Sequence, residues 1–192
     1  MNKDELYEAL NYVNATRENR SKMANTVEAQ PDLMVYLVEI SQENLDPISC
    51  RASWVLESVV KTNLNSIKPV IDQFINSLRF LKLESSIRPA SKICLLLVQD
   101  YFSKKTSTSS NILKNHHLGT ISESAFDWLI GNHKVAPKAY SMTTLLFLGK
   151  KIEWIHPELL QTLKQNYENG SAAYKARARM TLKVLENNDH DI

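Results

Sequence analysis

Four times along this chain of 192 residues a small side chain opens the same apolar pattern. Ala52, Ala90, Ala139 and Ala178 are followed three positions later by Val55, Ile93, Met142 and Thr181, and seven positions later by Val59, Leu97, Leu146 and Leu185. Side chains at these offsets share one face of an α-helix. The column four positions on reads Leu56, Cys94, Thr143 and Leu182, which makes Cys94 a packing residue. An alanine at the head of each set lets a neighbouring helix come close. The sets recur at intervals of about 40 to 50 residues, the length of one repeat in a stacked helical protein.

A second helix follows the first within the repeat. The run from Ile67 to Ile75 aligns with that from Ile155 to Leu163, matching Ile67 with Ile155, Pro69 with Pro157, Ile71 with Leu159 and Ile75 with Leu163. A proline near a helix start costs no internal hydrogen bond. Asp46 is expected to cap the helix that begins at Pro47. The unit is helix, short turn, helix, and the fold class expected is all-α: an α-solenoid of about four to five stacked antiparallel helix pairs. A single domain, 1–192, divides into atypical amino-terminal helices (1–45), repeats (46–187) and a polar tail expected to fray (188–192). Leu6, Leu10 and Val13, then Met23 and Val27, then Leu33, Leu37 and Ile40 carry the helical spacing of the first part. Residues 103–111 are polar and aperiodic, and an extended loop is expected over 103–120. After it, Ser122 is expected to cap a helix with Phe126, Leu129 and Ile130 on the core, ending at Gly131.

Four Gly and six Pro are too few turn residues for a sandwich of many short strands. No apolar run approaches the roughly 20 residues of a membrane span and no apolar leader follows Met1, so a soluble, cytoplasmic protein with no membrane partner is expected. Cys50 and Cys94 show neither metal-ligand spacing nor a disulfide framework and read as reduced, buried thiols. With 23 basic and 21 acidic residues, net +2, no global field points to nucleic acid.

These recurring columns, from about Asp46 to Leu185, resemble the HEAT-like and armadillo-like repeat superfamily. The segment Phe126-Asp127-Trp128-Leu129-Ile130, with Lys134-Val135-Ala136-Pro137-Lys138-Ala139-Tyr140, also resembles a group of short bacterial proteins sometimes labelled adenylosuccinate lyase. Lyases of that superfamily carry a Ser-rich loop with a Met-Pro-x-Lys-x-Asn core; the stretch from Ser107 to Ser110 has neither Met nor Pro. That resemblance therefore implies fold and not catalysis. In alkylpurine glycosylases built from HEAT-like repeats, aromatic residues and an aspartate line a groove that receives damaged DNA. That resemblance would give Asp127 the aspartate's place.

Other constellations carry less. His116, His117 and His133, with Glu123 or Asp127, are the clustered candidates for metal ligands, but their spacing matches no established motif, and a loop His-His pair with a solvent-facing third histidine is expected. Trp54, Trp128 and Trp154 read as packing residues. No phosphate-binding glycine loop, nucleophile elbow or paired-carboxylate motif occurs. No cofactor, metal or catalytic residue is assigned.

The residues immediately before the column alanines are Arg51, Pro89, Lys138 and Arg177, with Arg88 beside the exception. A one-residue step turns about 100° around a helix and moves these side chains to the flank of the buried face. They form either a ladder of solvated or paired charges or a row that recognises anions. The expected function is a non-catalytic interaction module whose partner is another protein or an acidic peptide segment. The alternative is a nucleic-acid-binding or DNA-repair protein, which a steep salt dependence of DNA binding would reveal.

Overall fold

A computed structural model describes residues 1–103 and 112–187. Among these the chain is helical throughout, with ten α-helices, three short 3-10 segments and no strand. The helices are α1 (Lys3–Ala9), α2 (Arg17–Ala29), α3 (Leu33–Gln42), α4 (Ile48–Thr62), α5 (Ile71–Ser77), α6 (Glu84–Tyr101), α7 (Asn115–Ile130), α8 (Val135–Leu148), α9 (Ile155–Asn166) and α10 (Ala172–Glu186). The loop expected over 103–111 and the tail expected over 188–192 lie outside the described residues, apart from Ser103.

Alternate helices pack side by side. One row runs α2, α4, α6, α8, α10, and a second runs α1, α3, α5, α7. The rows are joined where α3 meets α4, α7 meets both α6 and α8, and α9 meets α8 and α10. The core between them is continuous from Leu6 to Ala178 and includes the expected Val27, Leu33, Leu37, Val55, Val59, Ile93 and Leu97. Ala52, Ala90 and Ala178 are buried, as their columns require. Both cysteines are free and buried, with Cys94 in the core.

Several local expectations are corrected. Ala139 is half-exposed, although Met142 and Leu146 of its column are buried; Ser141, Thr144, Leu145 and Leu148 are buried as well and show the same three, four and seven spacing two residues later. The apolar run Leu145 to Leu148 satisfies either register, so periodicity alone does not choose between them. The helix expected from Ser122 begins at Asn115, which shortens the expected 103–120 loop, and Ile112 and Leu113 are already buried. Its inward face is Leu118, Ile121, Ala125, Trp128 and Leu129, which leaves Phe126 half-buried and Ile130 exposed. Asp46 does not cap α4: Pro47 stands at the cap with no side-chain bond, and the Cys50 thiol donates to Asp46 Oδ1 at 3.3 Å. Pro69 lies inside the 3-10 segment Leu64–Val70 that precedes α5, whereas Pro157 sits in the first turn of α9 as expected.

The turn between α3 and α4 is tied to the one before α6 by Asn44, the one non-glycine residue with positive φ (56°) among the described residues. Its amide donates to the carbonyls of Gln42 and Phe80, both at 2.9 Å, and its Oδ1 accepts from Lys82 N–H at 2.8 Å. Asparagine tolerates the left-handed region better than alanine does. Asn44→Ala is therefore expected to lower stability by about 1–2 kcal/mol in urea denaturation. Asn44→Gly should recover only the backbone share, and equal stability of all three chains would rule the tie out.

Candidate functional site

Buried on most sides, α4 exposes between its ends a single stripe: Arg51, Trp54, Ser58 and Lys61. On α6 the matching stripe is Ser85, Arg88, Lys92, Leu96 and Gln99. Side chains three and four apart line up along a helix, and neighbouring helices set their stripes beside each other. The result is a trough on the face of the first row that the second row leaves open. Arg17, Arg20 and Asn25 of α2 face Glu57, Ser58 and Lys61 of α4 across about 490 Å³. Arg20 also borders the next section, about 340 Å³, where Trp54 is surrounded by Ser85, Arg88, Lys134 and Pro137. A separate recess of about 230 Å³ holds Lys138, Ser171 and Tyr174 between α8 and α10.

The trough is cationic, and its charges act on one another. Lys92 lies with its ammonium 5.1 Å from the centre of the Tyr140 ring. Burial chiefly, then the positive charges of Lys61, Arg177 and Arg88, hold its pKa below the ordinary lysine value, with Glu57 opposing. Glu57 is itself buried and pairs with Arg88 Nη1 at 3.3 Å. Clustered like charges on a partly desolvated surface favour an anion that relieves their repulsion. At the α6 end, Glu84 accepts from Lys134 N–H at 3.1 Å and contacts His133 Nδ1, fixing the loop that carries Lys134.

The four basic positions singled out from sequence separate. Arg88 lines the trough and Arg177, exposed on α10, adds to the field at Lys92. Arg51 lies on the exposed stripe of α4, but its guanidinium donates to the carbonyl and side chain of Asn11 at 3.0 and 3.2 Å. Lys138 belongs to the separate recess. Arg20, Lys61, Lys92 and Lys134 lie outside the column that precedes the alanines, and Trp54, expected to pack, borders the trough. Trp154 also departs from packing and stands exposed, while Trp128 is buried. Asp127 lies exposed on α7, in the other row from Trp54, so the two do not line a common groove. A signal for the trough was present: basic residues at helical spacing on the face opposite the apolar columns, Arg51 and Lys61 on α4 and Arg88 and Lys92 on α6.

The histidines behave differently from expectation. His117 is buried, and with His116 it meets Asp72 of α5, not Glu123 or Asp127. The three offer ligand atoms within 4.8 Å of one another. His117 Nδ1 accepts the Lys114 N–H at 3.0 Å, so the ring proton sits on Nε2 and is donated to Asp72 Oδ1 at 2.7 Å. A metal at Nε2 would require that proton on Nδ1, facing the Lys114 N–H, at the expense of the α7 cap. The trio is better fitted to clamp α5 to α7 than to hold an ion. Its hydrogen bond from His117, more than any other influence, keeps the Asp72 carboxyl below the ordinary carboxylate range. His133 is half-buried against Glu84 and is not solvent-facing. Burial pushes both thiols up, so neither cysteine is an activated nucleophile.

No family model matches the chain, and comparison with curated proteins and with solved structures gave no match. No described helix is long and apolar enough to cross a membrane.

Proposed function

We propose that the chain is an α-solenoid of the HEAT-like and armadillo-like kind, and that it is a non-catalytic binding module whose trough receives an acidic segment of another protein. Two rows of alternately placed helices support the repeat reading, because stacked pairs bury their apolar faces on their neighbours and leave one long surface free. The observation that carries the binding reading is the lining of the trough, where Arg17, Arg20, Lys61, Arg88 and Lys134 gather around the half-buried Trp54, with Lys92 on the same stripe of α6 as Arg88. Arginines offer paired donors to carboxylates, and a tryptophan beside them supplies apolar area for an anchor side chain. Glu57 and Glu84 interrupt the cations, which favours a peptide with spaced carboxylates over a continuous phosphate backbone.

The test compares three fluorescein-labelled probes at two salt concentrations: a 16-residue Glu-rich peptide containing one Phe, single-stranded DNA and duplex DNA. The peptide is expected to bind most tightly, and the chain carrying Arg20→Gln, Lys61→Gln and Lys92→Gln to bind it at least about tenfold more weakly at unchanged helicity. Tighter binding of DNA with a steep salt slope would replace the acidic peptide by nucleic acid as the partner. Equal binding by the triple variant would remove the trough as the recognition surface.

A further inference from the structure

We infer that the outer edge of α7, together with Trp154, is a second docking surface, and that its occupant is a basic amphipathic helical segment of a partner protein. The second row runs from α1 through α3 and α5 to α7, but α7 makes no comparable packing contact with α9. Apolar groups stand in solvent where the row breaks: Ile130 is 61% exposed and Trp154 is 53% exposed. The Trp154 ring stacks on Phe126 with centres 5.5 Å apart and planes at 23°. Large apolar side chains held this far out of a core, one of them a stacked tryptophan, have the character of an interface anchor.

Charge and geometry specify the occupant. On α7, Glu123, Phe126, Asp127 and Ile130 occupy one exposed or half-exposed stripe at offsets of zero, three, four and seven. Glu153 stands exposed beside Trp154, and neither Glu123 nor Asp127 forms an ion pair among the described residues. An apolar strip edged by free carboxylates fits a helix whose own apolar strip is edged by lysine or arginine. An acidic segment, the ligand proposed for the trough, is repelled here, so the two surfaces select partners of opposite charge.

The test uses an 18-residue synthetic helix with leucines at i, i+3, i+4 and i+7 and lysines along their flanks, and a counterpart with glutamate for lysine. Titrations of the full chain are followed by calorimetry and tryptophan emission. The lysine peptide should bind saturably and shift the emission to shorter wavelength. Trp154→Ala, Ile130→Ser and the pair Glu123→Lys with Asp127→Lys should each weaken binding about tenfold or more, while Lys61→Gln with Lys92→Gln should leave it unchanged. Ile130→Ser stands in should Trp154→Ala fail to fold. The inference is overturned if the lysine peptide does not saturate by about 1 mM, if the glutamate peptide binds as well, or if Trp154→Ala and Ile130→Ser both keep the original affinity.

Discussion

Replacing Arg88 by methionine should lower the unfolding free energy by about 2–3 kcal/mol. The cause is the group left behind: Glu57 is buried, its side chain only 7% exposed, and Arg88 is its ion-pair partner. A buried carboxylate stripped of its cation costs about 3–5 kcal/mol when fully enclosed. The expectation here is smaller because the Arg88 side chain is 45% exposed and Lys92 also attracts Glu57. Glu57→Gln in the same chain should return most of the loss, since an amide tolerates burial better than an unpaired charge. Chemical denaturation of the two single variants and the double variant measures the coupling directly. If the double variant is as unstable as the sum of the singles, the pair is not what holds Glu57.

The largest loss from a single side chain outside the apolar core is expected at His117. His117→Ala should cost about 2–4 kcal/mol, combining a vacated volume, a lost helix cap and a broken bond between α5 and α7. His117 stands where a capping box places Glu or Gln, accepting the N–H of the cap residue. Lys114 has no side-chain acceptor with which to return the bond, so this single contact does the capping. His117→Gln should therefore retain about half of the stability lost in His117→Ala. Urea denaturation together with amide exchange at Lys114 separates the cap from the packing. Wild-type exchange at Lys114 in His117→Ala would show that the ring does not protect that amide. The Asp72 end of the clamp has its own pH dependence: its carboxyl is depressed on folding, so its contribution is present above the unfolded value and is lost as pH falls through the lower folded one.

Helix positions were legible wherever apolar columns were uninterrupted, as on α4 and α6, because a buried face admits one register. On α8 Met142, Leu145, Leu146 and Leu148 are all buried, and the choice of Ala139 over Ser141 fell to a small-residue rule that a serine also satisfies. The start of α7 was missed because Asn115, His116 and His117 look like loop, although His117 is the cap acceptor. The clamp to Asp72 joins residues 45 positions apart, a contact that periodicity does not encode. The binding trough was half legible. The basic column before the alanines holds Arg177, and Arg88 stands beside its exception Pro89, but Lys138 lies in a separate recess and Arg51 is held by Asn11, a contact made through the fold of the first helices. Lys61 and Lys92 lie on the same helices at offsets that the alanine column did not examine, and the stripe Arg51, Trp54, Ser58, Lys61 carried the information.

The serial order of the two rows also bears on how the chain acquires its structure. Among the described residues no α-helix packs substantially against one more than two helices away along the chain, so no long loop must close before favourable contacts form. Folding can begin at whichever pair of helices orders first and spread in both directions, and opening can begin at an end without disturbing the middle. Among the described residues α10 packs chiefly on α8 and α9, and it contributes Arg177 to the field at Lys92. Detachment of that one helix would remove a cation from the field at Lys92 while leaving Trp54, Arg88 and the Glu57 pair in place. The strength of the anion-attracting field at Lys92 is thus coupled to the packing of α10 on α8 and α9.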